Sequence, residues 1–244
     1  MNTHSMNDDL AGAIYFVVGQ GTEGGSSSYH LSIAGMTIDG NEPRWGNQSK
    51  VAGDSGYSIG AIQVDLGKRG TWPLGATDNR ALKLGESTYV DAIISAASDY
   101  AKTKNLPFTQ DHKQLRSDLL SHGHDKFNKK GQLVTNGLQF IDADTRDSIN
   151  KWAGSSEGTQ WIHQNIDLPQ ARNITEKALH TLNTHGSKEF KEEERFEALC
   201  LLAKTENQLP AMMNGNKRVP TGMKDVLDNG GDYAALFAQI GRAH

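Results

Sequence analysis

The chain has 244 residues, 36% of them hydrophobic and 22% charged, which suits a globular protein with a buried core. A formal net charge of −4 offers no basic footprint for nucleic acid, and one cysteine, Cys200, leaves no internal disulfide to form. No stretch approaches the ~18 apolar residues of a membrane span, so no membrane insertion is expected. The start, Met-Asn-Thr-His-Ser-Met-Asn-Asp-Asp, lacks the basic n-region of a signal peptide.

The first predicted helix covers 8–19, capped by Asn7 or Asp8 and striped by Leu10, Ile14, Val17 and Val18. Gly19, Gly21, Gly24 and Gly25 are expected to end it, leaving Glu23 at a helix C-terminus. Residues 26–53 are rich in Ser, Gly and Asn, with short alternating pieces at Leu31, Ile33 and Met36, Ile38 and a turn signal at Asp39-Gly40-Asn41. They read as loops with a small antiparallel sheet or hairpin. From 89 onward the pattern is mostly helical, with helices predicted over 89–104, 111–121, 142–153, 155–166, 169–183, 188–205 and 231–240. No repeat or long linker divides the chain. The expectation is a single mainly α domain over 1–244, with a small antiparallel β element near its N-terminal third.

The chemistry concentrates in Asp54-Ser-Gly-Tyr-Ser-Ile-Gly-Ala-Ile-Gln-Val-Asp65. Ten residues lie between its two carboxylates, and Glu23 stands upstream where an apolar run, Tyr15 to Val18, gives way to glycines. Acid-catalysed glycosidic cleavage needs such a set. One carboxyl donates a proton to the leaving oxygen, and another stays ionised to activate water or to stabilise positive charge. Each residue also has a plain structural reading. Glu23 could be a solvated loop residue, Asp54 an Asx turn and Asp65 a helix cap.

Ser58 could orient water, and Gln63 could hold a sugar or brace the strand. Tyr57 could stack on a sugar ring or pack into the core. Tyr29 and His30 could line the opposite rim. His122-Gly-His124-Asp125 has no further Cys or His at zinc-like spacing, so it reads as a polar loop leading into Lys129-Lys130-Gly131, and no metal is expected. Asp142-Ala-Asp144 reads as a helix cap, Cys200 as a small core residue, and 188–194 as a solvated helix face. No phosphate loop or Gly-X-Ser-X-Gly elbow is present.

Trp45-Gly46, Asp54 and Gly60-Ala-Ile-Gln-Val-Asp65, with Thr22-Glu23-Gly24 upstream, resemble the sugar-cleaving segment of goose-type lysozymes and related lytic transglycosylases. Asp54-Ser-Gly-Tyr-Ser-Ile-Gly also resembles the corresponding turn of phage-type lysozymes, with Ser58 in place of Thr. The resemblance covers about 60 residues, roughly 10–70. Thirty residues lie between Glu23 and Asp54, more than in the goose-type family, which implies an insertion. The Ala-Tyr-Asn segment of those enzymes has only a distant counterpart at 202–207.

The resemblance implies a lysozyme-like α+β domain. It would hydrolyse the β-1,4 bond between N-acetylmuramic acid and N-acetylglucosamine without a cofactor. Glu23 would be the acid, Asp54 and Asp65 the base and support, and Ser58, Gln63 and Tyr57 the substrate contacts. Lytic transglycosylase, chitinase or chitosanase activity and a non-catalytic wall-binding module are the alternatives. The implied partner is the peptidoglycan glycan strand. As in a phage endolysin or a type VI secretion effector, a delivery or immunity protein would accompany a chain made in the cytoplasm and acting on the wall. The bare termini lead us to expect the C-terminal module of a longer protein.

Overall fold

A computed structural model describes residues 3–23, 28–36, 47–186, 190–217 and 219–241. Within these residues the protein is mainly helical, with a small antiparallel three-stranded sheet in the N-terminal third, as predicted. Two compact units divide the chain: residues 23–170, and residues 1–22 together with 171–244.

The 23–170 unit carries the sheet. β1 (Ser32–Ile33), β2 (Tyr57–Ile59) and β3 (Val64–Asp65) run in that order, with β2 antiparallel to both neighbours. Ser32 pairs with Ser58, and Ser58 pairs with Asp65. The small antiparallel sheet expected in this region is therefore present, with β2 as the partner of β1, while Ile38 lies outside the described residues. Met36 is a buried turn residue whose N–H donates to the Ile33 carbonyl at 3.0 Å. The turn signal at Asp39-Gly40-Asn41 lies outside the described residues.

α2 (Leu66–Arg69) follows β3 directly, and the long α3 (Tyr89–Lys104) packs on α5 (Ala143–Ala153) and on α4 (His112–Leu119). Caps explain these boundaries: the Thr88 hydroxyl accepts from Asp91 N–H, and Asn105 ends α3 in the left-handed region at φ 51°. Tyr57, Ile59 and Val64 of the sheet join Tyr89, Ile93, Leu115, Ile149 and Trp152 of the helices in one buried cluster. Trp161 closes it edge-on against Trp152, with ring centroids 5.4 Å apart.

α6 (Ser156–Ile162) passes through a π-helical turn, His163–Asp167, into α7 (Leu168–His185). The break expected before Pro169 does not occur. The wider turn lies immediately before the proline, where the regular ladder must lose a bond for want of an N–H. Between α4 and α5 stands a second β ribbon that the periodicity did not reveal, β4 (Lys126–Phe127) with β5 (Leu133–Thr135).

In the other unit, α1 (Thr3–Ile14) continues as a π-helical segment, Tyr15–Glu23, so the helix runs through Gly19 and Gly21 instead of ending there. α8 (Glu192–Gln208), α9 (Met223–Asp228) and α10 (Tyr233–Gly241) complete it, with Leu199, Leu202, Met212 and Leu236 among its buried residues. No helix of the described residues is long and apolar enough to cross a membrane.

Candidate active site

The polar face of the sheet is set by register. Tyr57 and Ile59 of β2 point into the core at 0% exposure, so the intervening Ser58 must point to the opposite face. Directly paired residues share a face, which places Ser32, Ser58 and Asp65 in one polar row across the three strands. Gln63 anchors this row. Its Oε1 accepts the Ser32 hydroxyl at 2.6 Å and its Nε2 donates to the Gly60 carbonyl at 2.9 Å.

The turn between β2 and β3 places Gln63 itself at φ 55°, an uncommon conformation for a residue with a side chain, and Gly60 at φ 89°. Of the two roles open to Gln63, bracing the strand is the one its hydrogen bonds describe.

Asp65 ends β3 and stands at the N-cap position of α2, yet its side chain makes no capping hydrogen bond. Its Oδ2 takes the Gly56 N–H at 3.4 Å and lies 3.4 Å from Lys68 Nζ. Its Oδ1 is buried with no hydrogen-bond partner among the described residues. Helix capping therefore does not account for this residue. The side chain is 18% exposed, whereas that of Asp54, in the turn before β2, is 57% exposed. No backbone N–H of its own turn donates to the Asp54 side chain among the described residues, so the Asx-turn reading fails as well.

The 122–123 loop lies beside Asp54 and against the Gly56 and Gly67 backbone that flanks Asp65. His122 Nε2 lies 3.8 Å from Asp54 Oδ2, and His122 also bridges to Gly56. A Cβ on Gly123, which sits at φ +69°, would fall on Asp54 Oδ1. A Cβ on Gly67 would meet the His122 Cβ at 2.6 Å and Asp65 Oδ1 at 3.2 Å. One on Gly56 would meet Asp65 Oδ1 at 3.0 Å. Glycines thus wall the site because side chains there would displace its acids.

His122 Nδ1 lies 3.3 Å from the Leu120 carbonyl. A carbonyl only accepts, so this nitrogen carries the proton of that contact. His122, read in the sequence as part of a polar loop, is the residue that comes beside Asp54. Its signal was the His-Gly pair, whose glycine allows the loop to lie beside Asp54.

Other expectations are corrected. Tyr57 is fully buried. Its hydroxyl donates to the Gln139 carbonyl at 3.2 Å and accepts the Ile141 N–H at 3.1 Å, so its ring serves the core and offers no face to a sugar. Tyr29 packs half-buried against the same core. His30 is half-buried, and burial lowers its imidazole below the ordinary value. Glu23 ends the Tyr15–Glu23 segment, but its side chain, like Gly24 and Trp45-Gly46, lies outside the described part of the structure.

Among the described residues no three His, Cys, Asp or Glu side chains converge as metal ligands. His124 is exposed, and Asp125 instead accepts from Gly137 N–H at 2.8 Å and from Gln48 Nε2 at 3.2 Å.

In the other unit, a cavity of about 310 Å³ is lined by Val18, Phe196, Cys200 and Tyr233 among others. Burial, helped by Glu197, pushes the Cys200 thiol up to about 11, too high for a nucleophile at neutral pH. Comparisons with protein-family models, with curated proteins and with solved structures find no significant match to this chain.

Proposed function

We propose that the protein is a peptidoglycan hydrolase, a muramidase that cleaves the β-1,4 bond between N-acetylmuramic acid and N-acetylglucosamine. The observation that carries this reading is the pairing of an exposed Asp54 with a mostly buried Asp65 around one glycine-walled loop. Two carboxylates in unlike surroundings can take unlike roles.

In this mechanism Glu23 protonates the glycosidic oxygen as the C–O bond breaks. Asp54, open to solvent, takes a proton from the attacking water, whose oxygen bonds to the anomeric carbon. The sum is addition of H and OH across one bond, with no cofactor consumed. Asp65 is a positioning residue, tying β3 to the Gly56 amide beneath Asp54. Ser58, paired beside Asp65 on the polar face, holds the water or a sugar hydroxyl in this reading.

His122 stands beside Asp54, its Nε2 3.8 Å from Asp54 Oδ2. Delivery to the wall, and an immunity partner to protect the producer, follow from the same reading.

The test is mass analysis of fragments released from purified peptidoglycan by wild type, Glu23→Gln and Asp54→Asn. Reducing-end muropeptides from wild type alone support the proposal. 1,6-Anhydro products would make the protein a lytic transglycosylase, for which no activated water is needed and Asp54→Asn stays active. Binding without release by any form would leave a wall-binding module.

A further inference from the structure

The β4–β5 ribbon has no core to hold it, since every residue from 126 to 136 is exposed. A two-stranded hairpin is marginal by itself in water. This one is secured at both ends by side-chain hydrogen bonds. At the tip, Asn128 Oδ1 accepts the N–H groups of Lys130 at 2.9 Å and Gln132 at 3.0 Å, while its Nδ2 donates to Gln132 Oε1 at 2.9 Å. At the base, Asp125 takes Gly137 N–H, and Gln48 Nε2 also reaches the Leu138 carbonyl at 3.0 Å.

What the ribbon displays is apolar and basic. Phe127 is 61% exposed, Leu133 50% and Val134 64%. Phe127 and Leu133 are cross-strand partners and share a face. Lys126, Lys129 and Lys130 stand beside them, and residues 126–136 contain no Asp or Glu. A contiguous apolar pair on a fixed projection with a single sign of charge has the make-up that binding surfaces share, unlike a scatter of single residues.

Its root is the site itself. Gly123 lies so near Asp54 that a Cβ there would fall on its Oδ1, and four residue steps limit the distance from Gly123 to Phe127 to about 14 Å.

We infer that residues 126–136 form a substrate-binding finger for an anionic glycan strand, one whose sugars bear carboxylate-carrying peptides. The identity of that glycan rests on the muramidase reading. The Phe127–Leu133 face takes the C–H faces and N-acetyl methyl groups of the sugars. Lys129 and Lys130 take the peptide carboxylates, which a neutral chitin chain lacks. The finger would thereby make the protein prefer peptidoglycan over chitin.

The test is co-sedimentation of the full chain with three probes. They are sacculi stripped of protein and teichoic acid, chitin, and vesicles of phosphatidylglycerol with phosphatidylcholine. All the altered residues are exposed, so the variants keep the fold. Lys129→Glu with Lys130→Glu should weaken sacculus binding about tenfold at low salt, an effect that fades as salt is raised, and leave chitin binding unchanged. Phe127→Ser should weaken binding to both polymers.

Equal sacculus binding by all forms overturns the inference. So does a wild-type preference for the vesicles over sacculi that these variants abolish, since the finger would then read a lipid surface. If wild type releases no fragments while sacculus binding still depends on the lysines, the muramidase reading falls and the finger stands.

Discussion

The two β ribbons of the 23–170 unit are built on opposite principles. In β2–β3, Tyr57, Ile59 and Val64 are buried at 1% exposure or less, and the hydrophobic core holds the two strands that Asp54 precedes and Asp65 ends. In β4–β5 nothing is buried, and the side chains of Asn128, Asp125 and Gln48 hold the ribbon at its tip and base. A reacting group must be fixed to a fraction of an ångström, which close packing achieves. A surface that meets a long polymer needs only to be presented. The 122–125 segment joins the two, lying beside Asp54 at His122 and clamping the second ribbon at Asp125.

The largest expected effect lies in the buried ribbon. Tyr57→Ala should cost about 3–5 kcal/mol in urea unfolding, because it empties a packed site and strands the Ile141 N–H. A cost below about 1 kcal/mol would show that the core does not hold β2.

Next comes a matched pair of glycines. Gly123→Ala and Gly131→Ala both place alanine at positive φ, +69° and +75°, at a backbone cost of about 1–2 kcal/mol. The added methyl group reaches Asp54 only at 123, and at 131 nothing lies within 4 Å. Hydrolysis of peptidoglycan should therefore fall sharply in the first variant and little in the second. Equal losses would remove Asp54 from the mechanism.

Smaller in scale is release of the second ribbon at its base. The Gly137 N–H and the Gln48 amide hold the Asp125 carboxyl below its ordinary value. A lowered folded value means that the unfolded chain binds more protons as the pH falls. The clamp is thus complete above the ordinary carboxylate value of about 3.9 and weakens as pH drops through the lower folded value. Protease cleavage within 126–136 should rise at acid pH in wild type, and at every pH in Asp125→Ala.

His30 gives the corresponding signal for the buried side. Burial lowers its imidazole, so stability should decline as pH falls below about 6.5, and His30→Gln should flatten that slope in thermal unfolding. The smallest effect belongs to the exposed ribbon, where Phe127→Ser should shift stability by no more than about 0.5 kcal/mol.

What the sequence made legible follows the same division. The helix at 89–104 was readable to the residue because Thr88 caps it, a 3.6-residue apolar stripe runs through it, and Asn105 ends it. The nearness of Ser58 to Asp65 was readable because the two crowd into one glycine-rich segment, which folds back on itself as β2 and β3.

The β1–β2 pairing was not readable, since strands of two and three residues separated by a long loop carry no period of their own. β4–β5 escaped notice because a ribbon without a buried face shows no alternation. Tyr57 was ambiguous because an aromatic beside a glycine turn fits a cleft and a core equally well. The place of His122 beside Asp54 was not readable because Asp54 lies 68 positions earlier, and only the folded chain brings the two together.

The most direct measurement of the central claim is product release from purified peptidoglycan by wild type, Glu23→Gln and Asp54→Asn, each first shown to be folded by circular dichroism. The account predicts reducing-end muropeptides from wild type and a loss of at least about a hundredfold in both variants. Wild-type turnover that survives both substitutions, or no release by the wild-type chain at all, would contradict it.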